Sequence, residues 1–183
     1  MVRQESDLVG GRLCLDFVNT VSWRGTDAPR DNVDSYPRLL RWCVRAGALS
    51  RTEAATLRRV AAEHPQKAVT VIVRARELRE AIYRVVISWK RGRAPSRADL
   101  ALVNGSAPPR GELVWRRGRL AWANESRVQL ESPLWPIIWS FADLVTSGEP
   151  RRVSASPVFT SIQRLPYLYF LRRKAGRHLP PVR

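Results

Sequence analysis

The sequence predicts a mainly α-helical fold: about five helices in one compact orthogonal array, with a small β-hairpin over residues 112–122. Three observations predict it. Apolar residues recur at intervals of three and four through several windows, the pattern of helices with one buried face. Capping residues, glycines and prolines stand at the ends of those windows. One stretch, residues 111–122, alternates apolar and polar residues instead.

The first element is ambiguous. In residues 10–23, Leu13, Leu15 and Phe17 alternate as in a strand, while Leu13, Phe17, Val18 and Val21 share a helical face; a short helix is expected. The polar run over 24–32 reads as a loop. Asp34 or Ser35 can cap the next helix, with Pro37 tolerated in its first turn. Its apolar positions are Tyr36, Leu39, Leu40, Cys43 and Ala46, and Gly47 can end it. Ser50 and Glu53 have capping-box spacing, and the helix they start should stop before Pro65.

The longest helix should run from about Lys67 to Lys90. Val71, Ala75, Leu78, Ile82, Val85 and Trp89 form its apolar face, leaving Arg74, Arg76, Arg79 and Glu80 to the exposed remainder. Residues 69–73 are locally strand-like, but their register continues into the helix. Ser96 and Asp99 start a short helix that carries Leu100, Leu102 and Val103. Leu113 with Trp115 and Leu120 with Trp122 then alternate on either side of a basic turn, where a cross-strand tryptophan contact is expected. The last helix begins near Ser132 with Pro133 at its first position. Trp135, Ile138, Trp139, Ala142 and Val145 give it an apolar face, and Gly148 and Pro150 close it.

The 183 residues fit one domain over 1–150, with residues 151–183 as a basic, aromatic-containing tail. With 44% hydrophobic and 26% charged residues, the chain is not of disordered composition. Cys14 and Cys43 are its only cysteines, too few for a disulfide framework or a cysteine-ligated zinc site. The N-terminus lacks the apolar core of a signal peptide, and no apolar run has the length of a membrane span, so a cytoplasmic protein is expected. The net charge is +16, and 29 of the 32 basic residues are arginine. Half of that excess lies in the tail, which has eight basic residues and no acidic one.

No glycine-rich phosphate loop, nucleophile elbow or HExxH pattern occurs, and neither His64 nor His178 has a neighbour that suggests a metal site. No catalytic residue, metal ligand or cofactor is expected. More telling are polar residues inside apolar sequence. Asp16 and Asn19 are three apart, which puts both on one face of a helix, and Arg24 is near enough to answer a buried carboxylate. Asp16, Asn19, Trp23 and Arg24 are therefore candidates for the lining of a small-ligand pocket, or for a structural network that pins the N-terminal segment. In the tail, Arg151, Arg152, Arg172, Arg173, Lys174 and Arg177 stand among aromatics and are candidates for nucleic-acid contact through phosphates and stacking.

Residues 13–20, Leu-Cys-Leu-Asp-Phe-Val-Asn-Thr, resemble the opening of a bacterial family of stress-induced transcription regulators with a CGNR-type zinc finger. Further likenesses follow in order: Asp34 with Leu39 or Leu40 and Trp42, then Leu78-Arg-Glu-Ala-Ile82, Leu102-Val-Asn104 and Trp139-Ser-Phe-Ala-Asp-Leu144. The resemblance covers roughly residues 10–150. It implies a helical regulatory or ligand-binding domain, followed by a short module with four zinc-binding cysteines that binds DNA.

That module should start just after Val153. Ser154 stands where its first cysteine would be, no cysteine follows, and the CGNR motif is missing. The tail is then either an out-of-frame remnant or a genuine replacement. The expected function is a regulator-like protein whose helical domain binds a small ligand and whose zinc-dependent DNA-binding module is lost or degenerate. The alternatives are nucleic-acid binding through the basic tail, or an enzyme on the same helical domain acting on an apolar or aromatic substrate. No membrane partner is expected.

Overall fold

The helical alternative for the first segment is the one adopted in the computed structural model, which describes residues 8–24, 26–107, 112–116, 119–123, 129–148, 153–157 and 166–170. Helix α1 (Leu13–Val18) buries Cys14, Leu15, Phe17 and Val18. After α1 the chain forms two short strands, β1 (Val21–Ser22), before the expected loop, and β2 (Arg30–Asp31), within it, paired antiparallel with Val21 opposite Asp31. Two residues per strand are too few to leave an alternation in the sequence.

Helix α2 (Tyr36–Arg45) starts after Ser35 and ends at Gly47, whose φ of 71° is the left-handed conformation that glycine adopts without strain. There Ala48 N–H donates to Cys43 C=O at 2.8 Å and Gly47 N–H to Val44 C=O at 3.2 Å, a Schellman ending. Helix α3 (Arg51–Glu63) has the expected capping box: Glu53 N–H donates to Ser50 Oγ at 3.1 Å, and Ser50 N–H to Glu53 Oε2 at 2.8 Å. Only His64 separates it from α4 (Pro65–Lys90). Proline is tolerated at the first helical position, so α4 begins two residues earlier than the apolar pattern marks. Residues 69–73 are helical, their strand propensity overridden by the longer repeat.

Ser96 caps α5 (Arg97–Gly105), its Oγ accepting from Asp99 N–H at 3.0 Å. The expected hairpin is present as β3 (Glu112–Arg116) and β4 (Arg119–Ala123). Its register sets Trp115 opposite Leu120 and Trp122 opposite Leu113, so the two tryptophans are not direct cross-strand partners. A 3-10 turn (Ser132–Leu134) leads into α6 (Trp135–Thr146). Beyond it, β5 (Val153–Pro157) and β6 (Pro166–Phe170) pair antiparallel, with Ala155 opposite Leu168. The described residues thus hold six α-helices. None is long and apolar enough to cross a membrane.

Helix α4 is the axis of the core. It packs against α1, α2, α3 and α5, while α1 packs against α6 and β6. Phe17, Leu39, Leu40, Leu78, Ile82, Ile137 and Leu144 are among the side chains closed off from solvent; each stabilises the fold by about 1.5–3 kcal/mol. Phe17 meets Trp42 with ring centroids 5.4 Å apart. The Trp42 indole N–H is buried without a partner. Both cysteines are buried free thiols, and burial pushes each up to about 12.

Two helix faces differ from expectation. On α6 the buried side chains are Trp135, Ile137, Ile138, Phe141 and Leu144, while Trp139 is exposed. Both stripes have helical spacing, and the one carrying Phe141 and Leu144 has more apolar surface to bury than the one carrying Ala142. On α4, Arg79 is not at the surface: it is 4% exposed. Its guanidinium grips Asp31 with two bonds of 2.8 Å and donates to Thr20 Oγ1 at 3.0 Å. Asp31 also accepts from Val33 N–H and from Arg76 Nε, each at 2.9 Å.

The ion pair fixes a pH dependence. Burial alone would raise the Asp31 carboxyl, but the Arg79 bonds and charge, helped by Val33 N–H and Arg76, hold it below the usual carboxylate range. Asp99 is held low by Arg84, against the opposing effect of burial and with help from Ser96. A carboxylate whose folded value is depressed stabilises the fold above its unfolded value near 3.8, and that stability is lost as the pH falls through the folded value. Asp31→Asn should therefore lower the melting temperature at pH 7 and shrink the further loss on acidification below about pH 4. Thermal unfolding followed by circular dichroism from pH 7 to pH 2.5 checks this; parallel curves for variant and wild type would refute it.

Candidate functional site

The start of α2, the end of α3 and the first half of α4 leave a cleft between them of about 470 Å³. Small side chains make the room: Ala61 and Ala62 on α3 and Ala68 on α4 stand where larger residues would fill the space. Buried Tyr36, Ala68 and Ile72 form its floor, and exposed Pro37, Pro65, Val69 and Val73 its rim. Val69 is 58% exposed and Val73 49%, which leaves two aliphatic side chains of α4 without cover. The polar lining is Asp34, Ser35, Arg58 and Arg76.

These polar groups differ in how far they are already satisfied. Arg76 is bonded to Asp31 at 2.9 Å and to the Asp34 carbonyl at 3.4 Å. The Asp34 carboxylate pairs with Arg38 on the next turn. Among the described residues, Arg58 has no ion-pair partner and the Ser35 hydroxyl makes no capping bond. An apolar cleft with a few polar groups at its mouth can hold a small molecule and orient its polar end.

None of the four residues singled out near the N-terminus lines this cleft. Asp16 is buried, and its Oδ1 accepts from Gly10 N–H at 2.7 Å. Burial raises its carboxyl above the usual range, and the Gly10 bond opposes that shift. The approach is close enough to require glycine: a Cβ on Gly10 would lie 2.7 Å from the Asp16 nitrogen. Arg24 turns the other way, pairing with Glu80, donating to Val18 C=O at 3.1 Å and lying 4.4 Å over the Tyr83 ring. Trp23 holds the left-handed conformation at φ 57° and is 36% exposed; its carbonyl accepts from Thr26 N–H at 3.1 Å. For a bulky side chain that backbone costs about 1–2 kcal/mol.

Asn19 reaches the far end of the chain. Its Nδ2 donates to Leu168 C=O at 2.8 Å, and its Oδ1 accepts from Leu168 N–H at 3.0 Å. The side-chain amide thus supplies to the edge of β6 the donor and acceptor that a further strand would supply. Asn19 is 4% exposed, and Leu168 and Val153 are closed off from solvent. Within the tail, β6 is therefore joined to the helical domain. Residues 166–170 form a strand, in keeping with their aromatic content and with the bar that Pro166 sets to a helix. The nucleic-acid candidates Arg151, Arg152, Arg172, Arg173, Lys174 and Arg177 lie outside the described residues.

Sequence reasoning missed Arg79, Asp31, Leu168 and the whole lining of the cleft. Arg79 had a signal: with Ile72, Ala75, Ile82 and Val86 it completes a run of three- and four-residue steps, all of them buried. For Asp31 and the cleft there was none, because both depend on segments distant in sequence.

A helical domain with an open apolar cleft, joined to a short C-terminal β-segment, is the class of protein these features define. The chain belongs to the ABATE family, described as "Putative stress-induced transcription regulator", which it matches over residues 11–148. No curated protein and no solved structure matches it. The matched span runs from just before α1 to the end of α6 and stops short of β5. Among the described residues no cluster of three His, Cys, Asp or Glu side chains is placed to hold a metal ion.

Asn19→Ala should leave the Leu168 N–H and C=O unsatisfied, at a cost of about 1–3 kcal/mol. Asn19→Asp keeps the acceptor but sets a carboxylate oxygen against the Leu168 carbonyl, so it should not restore stability. Urea unfolding of both variants measures this, and stability unchanged in either would contradict it.

Proposed function

We propose that this chain is a regulator of the stress-induced family that senses a small ligand through its helical domain, in the cleft between α2, α3 and α4, and that its zinc-dependent DNA-binding module is lost or degenerate. The observation that carries the first half is the cleft itself. Its volume falls within the range of small-molecule sites, about 300–1,000 Å³, and its lining is mostly apolar with a few polar groups, Asp34, Ser35, Arg58 and Arg76. It also lies wholly within the span that matches the family. The second half rests on the sequence, which has no cysteine after Cys43.

In this proposal Asp16, Asn19 and Arg24 are anchors rather than ligand contacts. Each is engaged with the chain itself: Asp16 with Gly10, Asn19 with Leu168, Arg24 with Glu80 and Val18. The cleft shares a residue with this framework, since Arg76 of its wall is bonded to the same Asp31 carboxylate that neutralises Arg79.

The neutral fluorophore N-phenyl-1-naphthylamine tests the cleft directly. Its emission should rise on adding the full chain, and Val69→Glu with Val73→Glu should abolish the rise. Both positions are half exposed, so the substitutions leave the core intact. An undiminished signal in the double variant would refute the proposal.

A further inference from the structure

The charges around the cleft go beyond its capacity to hold an apolar molecule, and we infer that its ligand is an amphipathic organic carboxylate, with its apolar body on Ile72 and Val73 and its anionic end at Arg58. This inference deepens the proposed ligand-sensing role and rests on it. The Asp34 carboxylate at the mouth is taken up by Arg38. Asp31, behind the wall, is shared between Arg76 and the buried Arg79. Arg79 also meets Glu80, which pairs with Arg24 as well, so three arginines share the two carboxylates of Asp31 and Glu80, and Arg58 has no acidic partner among the described residues. The mouth therefore carries an excess of positive charge beside an apolar floor.

The local backbone reinforces that sign. Ser35 is the N-cap of α2 and Pro65 the first residue of α4, and both line the cleft; the negative C-terminal end of α3 lies beside Pro65 and offsets the start of α4, which leaves the positive end of α2 at the mouth. A cationic ligand would meet Arg58 and Arg76 with no free carboxylate to receive it. A neutral one would leave Arg58 unused. An acidic head answers both, as a charge-assisted hydrogen bond that a neutral hydroxyl cannot match.

Isothermal titration calorimetry of the full chain with octanoate, octanol and octylammonium separates the possibilities. Octanoate should bind at least about tenfold more tightly than octanol, octylammonium should not bind, and the preference should fall as salt is raised. Arg58→Glu should abolish the preference for octanoate while leaving octanol binding in place. Equal binding of octanoate and octanol, or a preference that survives Arg58→Glu, would overturn the carboxylate inference and leave the cleft a ligand site. Failure of all three probes, with no N-phenyl-1-naphthylamine signal, would overturn both.

Discussion

Arg79 carries a full charge into a helical core, and the arrangement of the N-terminal third of the molecule depends on how that charge is answered. Taking an arginine out of water costs several kcal/mol unless it is paired and hydrogen-bonded. Asp31 supplies two bonds, and Thr20 a third. To deliver them, the chain leaves α1, pairs β1 with β2 and brings Asp31 back over α4. The Thr20 hydroxyl also donates to Phe17 C=O at 2.7 Å, which fixes the end of α1 against the same arginine. One buried side chain thus joins α1, β2 and α4.

Two contacts extend outward from that junction. Asp31 continues to Arg76, and so to the wall of the cleft. Asn19, the residue before Thr20, continues to Leu168 and so to the C-terminal strand pair. Cleft, core arginine and C-terminal segment are linked through these hydrogen bonds and the peptide bond between Asn19 and Thr20. β6, which lies beyond the span that matches the family, is thus held by a side chain of the helical domain.

Much of the helical frame was legible in the sequence. The capping box at Ser50 and Glu53, the glycine ending at Gly47 and the apolar steps from Val71 to Val85 are local, and local signals survive in a single sequence. Family membership was legible as well, through short matches in order. The faces of α4 and α6 were harder. Each helix is apolar on more than one stripe, and a periodicity cannot say which stripe finds a partner. Pairings across long separations left no trace at all: Asp31 with Arg79, Asn19 with Leu168, and the alanines of α3 with the start of α2. Asp16 and Asn19 stood out because polar residues in apolar sequence must be satisfied somewhere. That rule says they have partners, and only the fold says which.

The Asp31–Arg79 junction holds the N-terminal segment to α4, and a double-mutant cycle in urea unfolding tests this most directly. Asp31→Asn and Arg79→Met should each destabilise, because the first removes the bidentate charge partner of the buried Arg79 and the second leaves Asp31 with Arg76 alone for an ion pair. The double variant should be more stable than the sum of the two losses allows, with a coupling of about 2 kcal/mol or more. Additivity within about 0.5 kcal/mol would mean that the two residues do not act together, and the junction would not be what holds the N-terminal segment to α4.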